Sequence, residues 1–456
     1  MRERHIRQAA VTLALVASMV AVTACSGAKG TEKTTENVNQ SSAGTVEEKR
    51  EEKKTAESSG EQVEITFVNW GSVEASTKDA FENMISDFEA KNPDIKINNV
   101  AFPYNQMLDQ LLVMNAGGTP PDVAQMNGVW VSALNNAGAL AAMDELLPKE
   151  SLDDFLPSTT EGLKYDGKLK AVCWSPSPVA LYYNKTLLEK AGITEIPKTY
   201  DELFAAAEKV SALGTDESGN RIYGLGIQSQ KLFGAGFYYL PYIWAEGGDL
   251  TDEAGNVTLD TPAVVSALGK TKALMEKEIS PVGLEIKDLR NLFAQGYLGF
   301  HIDGDLGYPT FLTLSPKGEA FKEDIGIAPL PDSTEFFVEH DLVIFEKSEK
   351  KEAAARFVDY LSGPEGMKVY NDNGGNKSPA RKSVAELSYY KQPENAHMAT
   401  FIGYMEDARA LPAKNPGFVK AMEEIAEAIQ RVGINKEEPE KVAAELQQKV
   451  DIIYKQ

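Results

Sequence analysis

Three of the four tryptophans stand next to small polar side chains. Trp70 sits in Asn69-Trp70-Gly71-Ser72, Trp130 in Asn127-Gly128-Val129-Trp130 and Trp174 in Cys173-Trp174-Ser175-Pro176. An indole face offers contact to apolar C–H surface, and adjacent amides and hydroxyls satisfy polar groups withdrawn from water. That pairing suits capture of a small ligand carrying both kinds of surface. Residues arranged for breaking bonds are scarcer. The chain has no Walker phosphate loop, no Gly-x-Ser-x-Gly elbow and no His-Glu-x-x-His pair. Gly224-Leu225-Gly226 lacks the third glycine of a dinucleotide fingerprint, and residues 249–256 miss the spacing of an EF-hand loop and read as a hairpin turn. His301, His340 and His397 lie far apart in sequence and read as structural residues. Paired carboxylates for glycoside hydrolysis stay open, because 68 acidic residues allow many pairs.

These residues need elements to position them. Val63 to Asn69 alternates apolar and polar side chains and predicts a strand, and Ile95-Lys96-Ile97 and Asp122-Val123-Ala124 predict two more. Ser76 with Asp79 resembles a capping box, ahead of a helix whose face is Phe81, Met84, Ile85 and Phe88. A second helix is expected from about Tyr104 to Asn115. Leu181-Tyr182-Tyr183 is strand-like, Gly192 closes a helix, and Thr199 with Glu202 resembles another capping box. Residues 394–456 are almost wholly helical in pattern, broken at Pro412 and Pro416. Strands alternating with helices predict an α/β architecture with largely parallel sheets.

At 456 residues the chain is too long for one compact core and predicts two or more lobes. Its formal net charge of -22 repels phosphate backbones and excludes nucleic acid as a natural partner. Two cysteines and four histidines exclude a disulfide scaffold and leave little material for a metal site, so no metal and no cofactor is expected. Cys173, between apolar neighbours, reads as core filling.

The N-terminus carries its own message. Arg2, Arg4 and Arg7 precede an apolar run from Ala9 to Ala24, which as a helix spans roughly 24 Å against a hydrocarbon core of about 30 Å. A basic start, a short apolar stretch and a small residue before the cut predict a signal peptide over 1–24. Val22-Thr23-Ala24-Cys25 resembles a lipoprotein cleavage box, with Cys25 lipidated, palmitate among its acyl chains. Residues 26–62 are rich in Ser, Thr, Gly, Glu and Lys, and predict a disordered tether. The folded part is then residues 63–456.

Several segments, in order, resemble the extracellular solute-binding protein family 1, the carbohydrate receptors of bacterial ABC importers. They include Gly118-Thr119-Pro120-Pro121-Asp122-Val123, Tyr165-Asp166-Gly167-Lys168-Leu169 and Leu181-Tyr182-Tyr183-Asn184-Lys185 through Gly192. Pro197 to Leu203, Gly247-Gly248-Asp249-Leu250, Phe300 to Gly304, Ala353 to Phe357 and Ser378-Pro379-Ala380-Arg381 follow in the same order. The resemblance implies a two-lobed, periplasmic-binding-protein-like fold of type II, each lobe a mostly parallel sheet flanked by helices, with a hinge crossed three times. It places the crossings near 171–178, 336–344 and 375–384. One lobe would combine 63–172 with 344–376 and the other 178–338 with 384–456.

In that frame the ligand, a carbohydrate and most simply an oligosaccharide, sits in the cleft on loops at strand C-termini. The implied contacts are Asn69, Trp70, Ser72, Asn127, Trp130, Trp174, Phe237, Tyr238, Asp303, Asp305, Asn376 and Arg381, with Tyr104 and Asn105 as further candidates. Trp244 reads as core. Where the family often has a glycine followed by tryptophan, this chain reads Asp303-Gly304-Asp305-Leu306-Gly307-Tyr308, so Tyr308 or Asp305 would substitute. Arg381 would bond ligand bidentately or brace the hinge by an ion pair. The expected protein is a monomeric receptor and not an enzyme, held at the extracellular face of a bacterial membrane by lipid alone, delivering ligand to permease subunits. A polyamine or peptide ligand on the same fold, or a surface glycoside hydrolase, are the alternatives.

Overall fold

The computed structural model describes residues 62–405 and 408–455. The signal peptide, the lipidated Cys25 and nearly all of the tether, expected over residues 1–62, lie outside them. Among the described residues no helix is long and apolar enough to cross a membrane.

Nine strands form one sheet. They are β1 (Val63–Asn69), β2 (Ile95–Ala101), β3 (Val123–Asn127), β4 (Val172–Asn184), β5 (Tyr223–Gly226), β6 (Leu298–Gly304), β7 (Ile325–Ala328), β8 (Phe336–Ile344) and β9 (Arg409–Ala410). The path runs β2-β1-β3-β8-β4-β6-β5, with β7 on β4 and β9 on β8. β1 pairs in parallel with β2 and β3, and β5 in parallel with β6. β8 runs antiparallel to β3 and β4, and β4 runs antiparallel to β6 and β7. Each half of the sheet therefore has three strands pointing one way beside a crossing strand that points the other.

β4 and β8 belong to both halves. β4 pairs with β8 over Val172–Pro178, then with β6 from Val179 onward. It is buried almost end to end, which accounts for its near-continuous apolar run. Pro176 and Pro178 carry no N–H, so the ladder is thinned where the strand passes from one half to the other. The register of β8 on β4 slips between His340 and Asp341. A third passage, residues 375–381, is buried throughout.

The helices follow the apolar spacing. Phe81, Met84, Ile85 and Phe88 are the buried face of the helix Lys78–Lys91. Its start differs from expectation. The helix begins after Thr77, whose hydroxyl donates to the Gly71 carbonyl at 2.8 Å, and no side chain caps the helix. The second expected box is half made. Thr199 accepts from the Glu202 amide at 3.2 Å, but the Glu202 carboxylate takes the amide of Lys198 instead. Phe418–Gly433 buries Phe418, Met422, Ile425, Ile429 and Val432 on one face and packs against the helices Pro262–Glu276 and Pro439–Tyr454.

Asp305, one residue past the end of β6, ties the crossings together. It is fully buried and accepts from the Ser177 hydroxyl at 2.5 Å, the Ser378 hydroxyl at 2.8 Å and the Leu306 amide at 2.9 Å. Asp305→Ala strands two buried hydroxyls, each costing about 1–3 kcal/mol. The expected result is a fall of several degrees in Tm by calorimetry, and an unchanged melting curve would show that these bonds carry no stability.

Candidate ligand-binding site

A cavity of about 560 Å³ opens where β1, β2 and β3 end. Trp70 follows β1 and Tyr104 follows β2; both reach the cavity, with their rings 5.3 Å apart. Trp130 follows β3 and stands behind them, 5.8 Å from Trp70 and 5.1 Å from Tyr104. Phe233, on the short helix Phe233–Phe237, closes the aromatic layer from the opposite side at 6.1 Å from Tyr104. Phe237 and Tyr238 continue it along the same wall.

The turn that presents Trp70 is over-determined. Gln125 of β3 offers Oε1 to the amides of Trp70 and Gly71, at 3.3 and 3.4 Å. Asn69 accepts from the Ser72 amide at 2.8 Å and donates to Asn99 at 2.6 Å. Gly71 is required by space, because a Cβ there would stand 1.9 Å from the Phe81 ring. Asn127 caps the turn before Trp130 through the Val129 amide and donates to the Tyr104 hydroxyl at 2.8 Å.

Charge in the cavity is arranged with equal care. Arg290 lines it while its Nε and Nη2 grip the Asp303 carboxylate at 2.6 and 2.8 Å. Burial alone would raise Asp303, but the Arg290 charge and its two bonds outweigh burial and hold the carboxyl well below the usual range. Lys377, buried in the third passage, places Nζ 2.6 Å from Nδ1 of His340 on β8. Burial and the Lys377 charge push His340 far below its ordinary value, so a neutral imidazole accepts the bond. Glu74 faces the same space, raised by burial against the pull of Lys377 and Arg290. Rings, amides and fixed charges of both signs can hold a polyhydroxylated molecule.

Of the expected contacts, Trp70, Asn127, Phe237, Tyr238, Tyr104 and Asn105 line the cavity. The others lie around it. Asn69 and Ser72 shape the Trp70 turn, and Trp130 backs the aromatic layer. Trp174 does not reach the cavity; its indole N–H donates to the Leu361 carbonyl at 3.0 Å and its ring packs on Phe81 and Tyr370. Asp303 and Asp305 are turned to Arg290 and to the hinge serines. Asn376, at a positive φ of 51°, accepts from Tyr389 and contacts His397 at 3.1 Å. Arg381 pairs with Asp359 at 2.8 Å and lies over the Phe155 ring, the bracing role. Tyr308 stacks on His397 at 4.1 Å. Trp244 is core, its N–H on Asp249 at 3.0 Å. Sequence reasoning missed Gln125, Phe233, Arg290, His340 and Lys377. One signal was available: Gln125 is polar in the middle of a wholly buried strand.

The model of the bacterial extracellular solute-binding proteins matches residues 74–368. The chain belongs to this family. A protein of Brucella abortus named as a binding protein is 29% identical over 389 residues, 84% of this chain and 91% of that one. The galactooligosaccharide-binding protein of Bacillus subtilis is 23% identical over 362 residues, 75% of this chain and 82% of its own. The crystal structure of an ABC transporter solute-binding protein from Thermotoga lettingae, bound with alpha-D-tagatose, aligns at a TM-score of 0.74 and 25% identity, over 86% of this chain and 100% of that one. The two-lobed α/β fold expected from the sequence is therefore the fold of this solute-binding protein.

His397 gives the solute-binding protein an acid limit. Burial pushes its pKa down to about 4, against about 6.5 in an unfolded chain. Between those values the unfolded chain binds a proton that the folded chain refuses, so stability falls as pH drops through the window. His397→Gln is expected to flatten the dependence of Tm on pH between about 6.5 and 4; an identical slope in both proteins would rule the residue out.

Proposed function

We propose that this solute-binding protein captures a carbohydrate, most simply an oligosaccharide, in the 560 Å³ cavity and delivers it to the transmembrane subunits of an ABC permease. The observation that carries this reading is the aromatic layer Trp70–Tyr104–Phe233 in a cavity that also presents the amides Asn105, Gln125 and Asn127 and the charged groups Arg290, Lys377 and Glu74. Its volume lies within the ~300–1,000 Å³ of small-molecule sites. A polyamine fits less well, because Asp303 and Asp305 are bound to Arg290 and to the hinge serines, and Arg290 and Lys377 set positive charge beside the lining acids Glu74, Glu285 and Glu423. The protein acts as a receptor and not as an enzyme.

The lobes are assigned as 63–172 with 344–376 and 178–338 with 384–456. The shared strands β4 and β8 and the buried passage at 375–381 support that division. Ligand touching both walls would favour closure of the cleft. The N-terminal reading completes the assignment: cleavage after Ala24, lipidation at Cys25, and a monomer tethered at the extracellular face of a bacterial membrane.

Calorimetric titration with oligosaccharides, monosaccharides and polyols is expected to find a ligand. Trp70→Ala should raise its Kd at least tenfold, about 1.4 kcal/mol or more, while Trp174→Phe leaves affinity within about twofold because that ring faces the core. Absence of any binding or melting shift across the panel would sink the carbohydrate assignment, and sugar turnover by the purified protein would revive the hydrolase. In cells, Cys25→Ser should abolish labelling with palmitate and release the protein from the membrane fraction; retention of both would refute the anchor.

A further inference from the structure

On the side of β8 turned away from the cavity, three ligating side chains converge. Val338 and His340 line the cavity, whereas Glu339 and Asp341 project to the other face. There Asp341 pairs across the ladder with Cys173 of β4. One atom each from the Cys173 thiol and the Glu339 and Asp341 carboxylates lie within 4.8 Å of one another. Asp341 is fully buried, and neither of its carboxylate oxygens has a hydrogen-bond partner; Oε1 of Glu339 has none either. Among the described residues, no Lys or Arg forms an ion pair with these two acids. A second carboxylate pressed against the first without a counter-charge is costly in a dry interior. The backbone at Gly128 lies close against both acids. A Cβ there would stand 2.9 Å from Oε2 of Glu339 and 3.2 Å from Oδ2 of Asp341.

We propose that Cys173, Glu339 and Asp341 bind one divalent transition-metal ion, zinc first among them, which staples β4 to β8 at the hinge. One thiolate with two carboxylates is a borderline-soft donor set that suits Zn²⁺ or Co²⁺ better than Ca²⁺ or Mg²⁺. Two carboxylates and a thiolate present three negative charges, of which the ion offsets two. A water supplies a fourth ligand. As the metal binds, the Cys173 thiol proton and any proton held by the two acids leave to solvent, so the step balances without any redox partner. A small displacement of the three side chains brings them onto one centre, since two ligands about 2.0–2.3 Å from one metal stand at most about 4.6 Å apart, against separations of up to 4.8 Å here. The ion is structural, and it differs from the ligand site on the other face of the same strand.

The test uses untagged, full-length protein treated with chelator and titrated anaerobically with Co²⁺. The expected result is one equivalent bound, with visible bands of a tetrahedral ion and a near-ultraviolet thiolate-to-cobalt band, both displaced by Zn²⁺. Cys25→Ser should keep the thiolate band and Cys173→Ser should lose it, with Asp341→Asn weakening Co²⁺ at least tenfold. Zn²⁺ should raise the Tm of the parent protein and not that of Cys173→Ser. If Cys173→Ser fails to fold, the parent and Cys25→Ser spectra still decide. Absence of a thiolate band in folded Cys25→Ser, or stoichiometric binding untouched by Asp341→Asn, overturns the proposal in favour of a carboxyl pair that shares a proton.

Discussion

The hinge depends on one buried carboxyl group. Asp305 reaches Ser177 on the first passage between the halves and Ser378 on the third. Ser175 adds a bond to the Ser378 carbonyl at 3.0 Å. Burial raises the Asp305 carboxyl, Lys377, next in the chain to Ser378, pulls it back down, and the Lys377 Nζ donates to His340 on the second passage. All three passages are thereby joined through a few polar contacts in a dry region, where each contact is stronger than in water. His340 in turn lies 5.5 Å from Trp70. The electrostatics that join the halves also set the floor on which a ligand would rest.

A recurring economy is visible around the cavity. Two acids, Asp303 and Asp305, stand behind the surface, while Arg290, Lys377 and Glu74 stand on it. Asp303 orients Arg290, and Asp305 sustains Lys377 and the serines. Neither acid needs to touch a ligand to shape what the cavity accepts. The same holds for apolar groups: Trp130 and Trp174 brace Trp70, Phe81 and Tyr370 without lining the space as the front rings do.

How much of this was legible in the sequence follows from which forces act locally. The first strand, the helix face at Phe81–Phe88 and the C-terminal helices could be read because periodicity is a short-range signal. The loops after β1 and β3 could be read because an aromatic residue beside amides and glycine announces a shaped turn. Depth could not be read. Asp303, Asp305 and Trp174 sit at the right end of the right elements, but each side chain is claimed by a residue 13 to 187 positions away. Lys377 and His340 were invisible for the same reason, since a lysine within a predicted passage reads as solvated until a histidine 37 positions earlier is found against it. Ser76 misled because Thr77 spends its hydroxyl on Gly71 across the turn.

The central place of β8 bears on how the chain acquires its fold. β8 lies between β3 and β4, so both remain edges with unsatisfied backbone until residues 336–344 are in place. Each half of the sheet can pair within itself, but the two cannot join until a strand that comes late in the chain is in place, and such non-local pairing makes folding slow. A chain threaded through a membrane pore from its N-terminus would emerge with the halves of its sheet still unjoined. Slow closure would leave time for translocation to finish before the core forms.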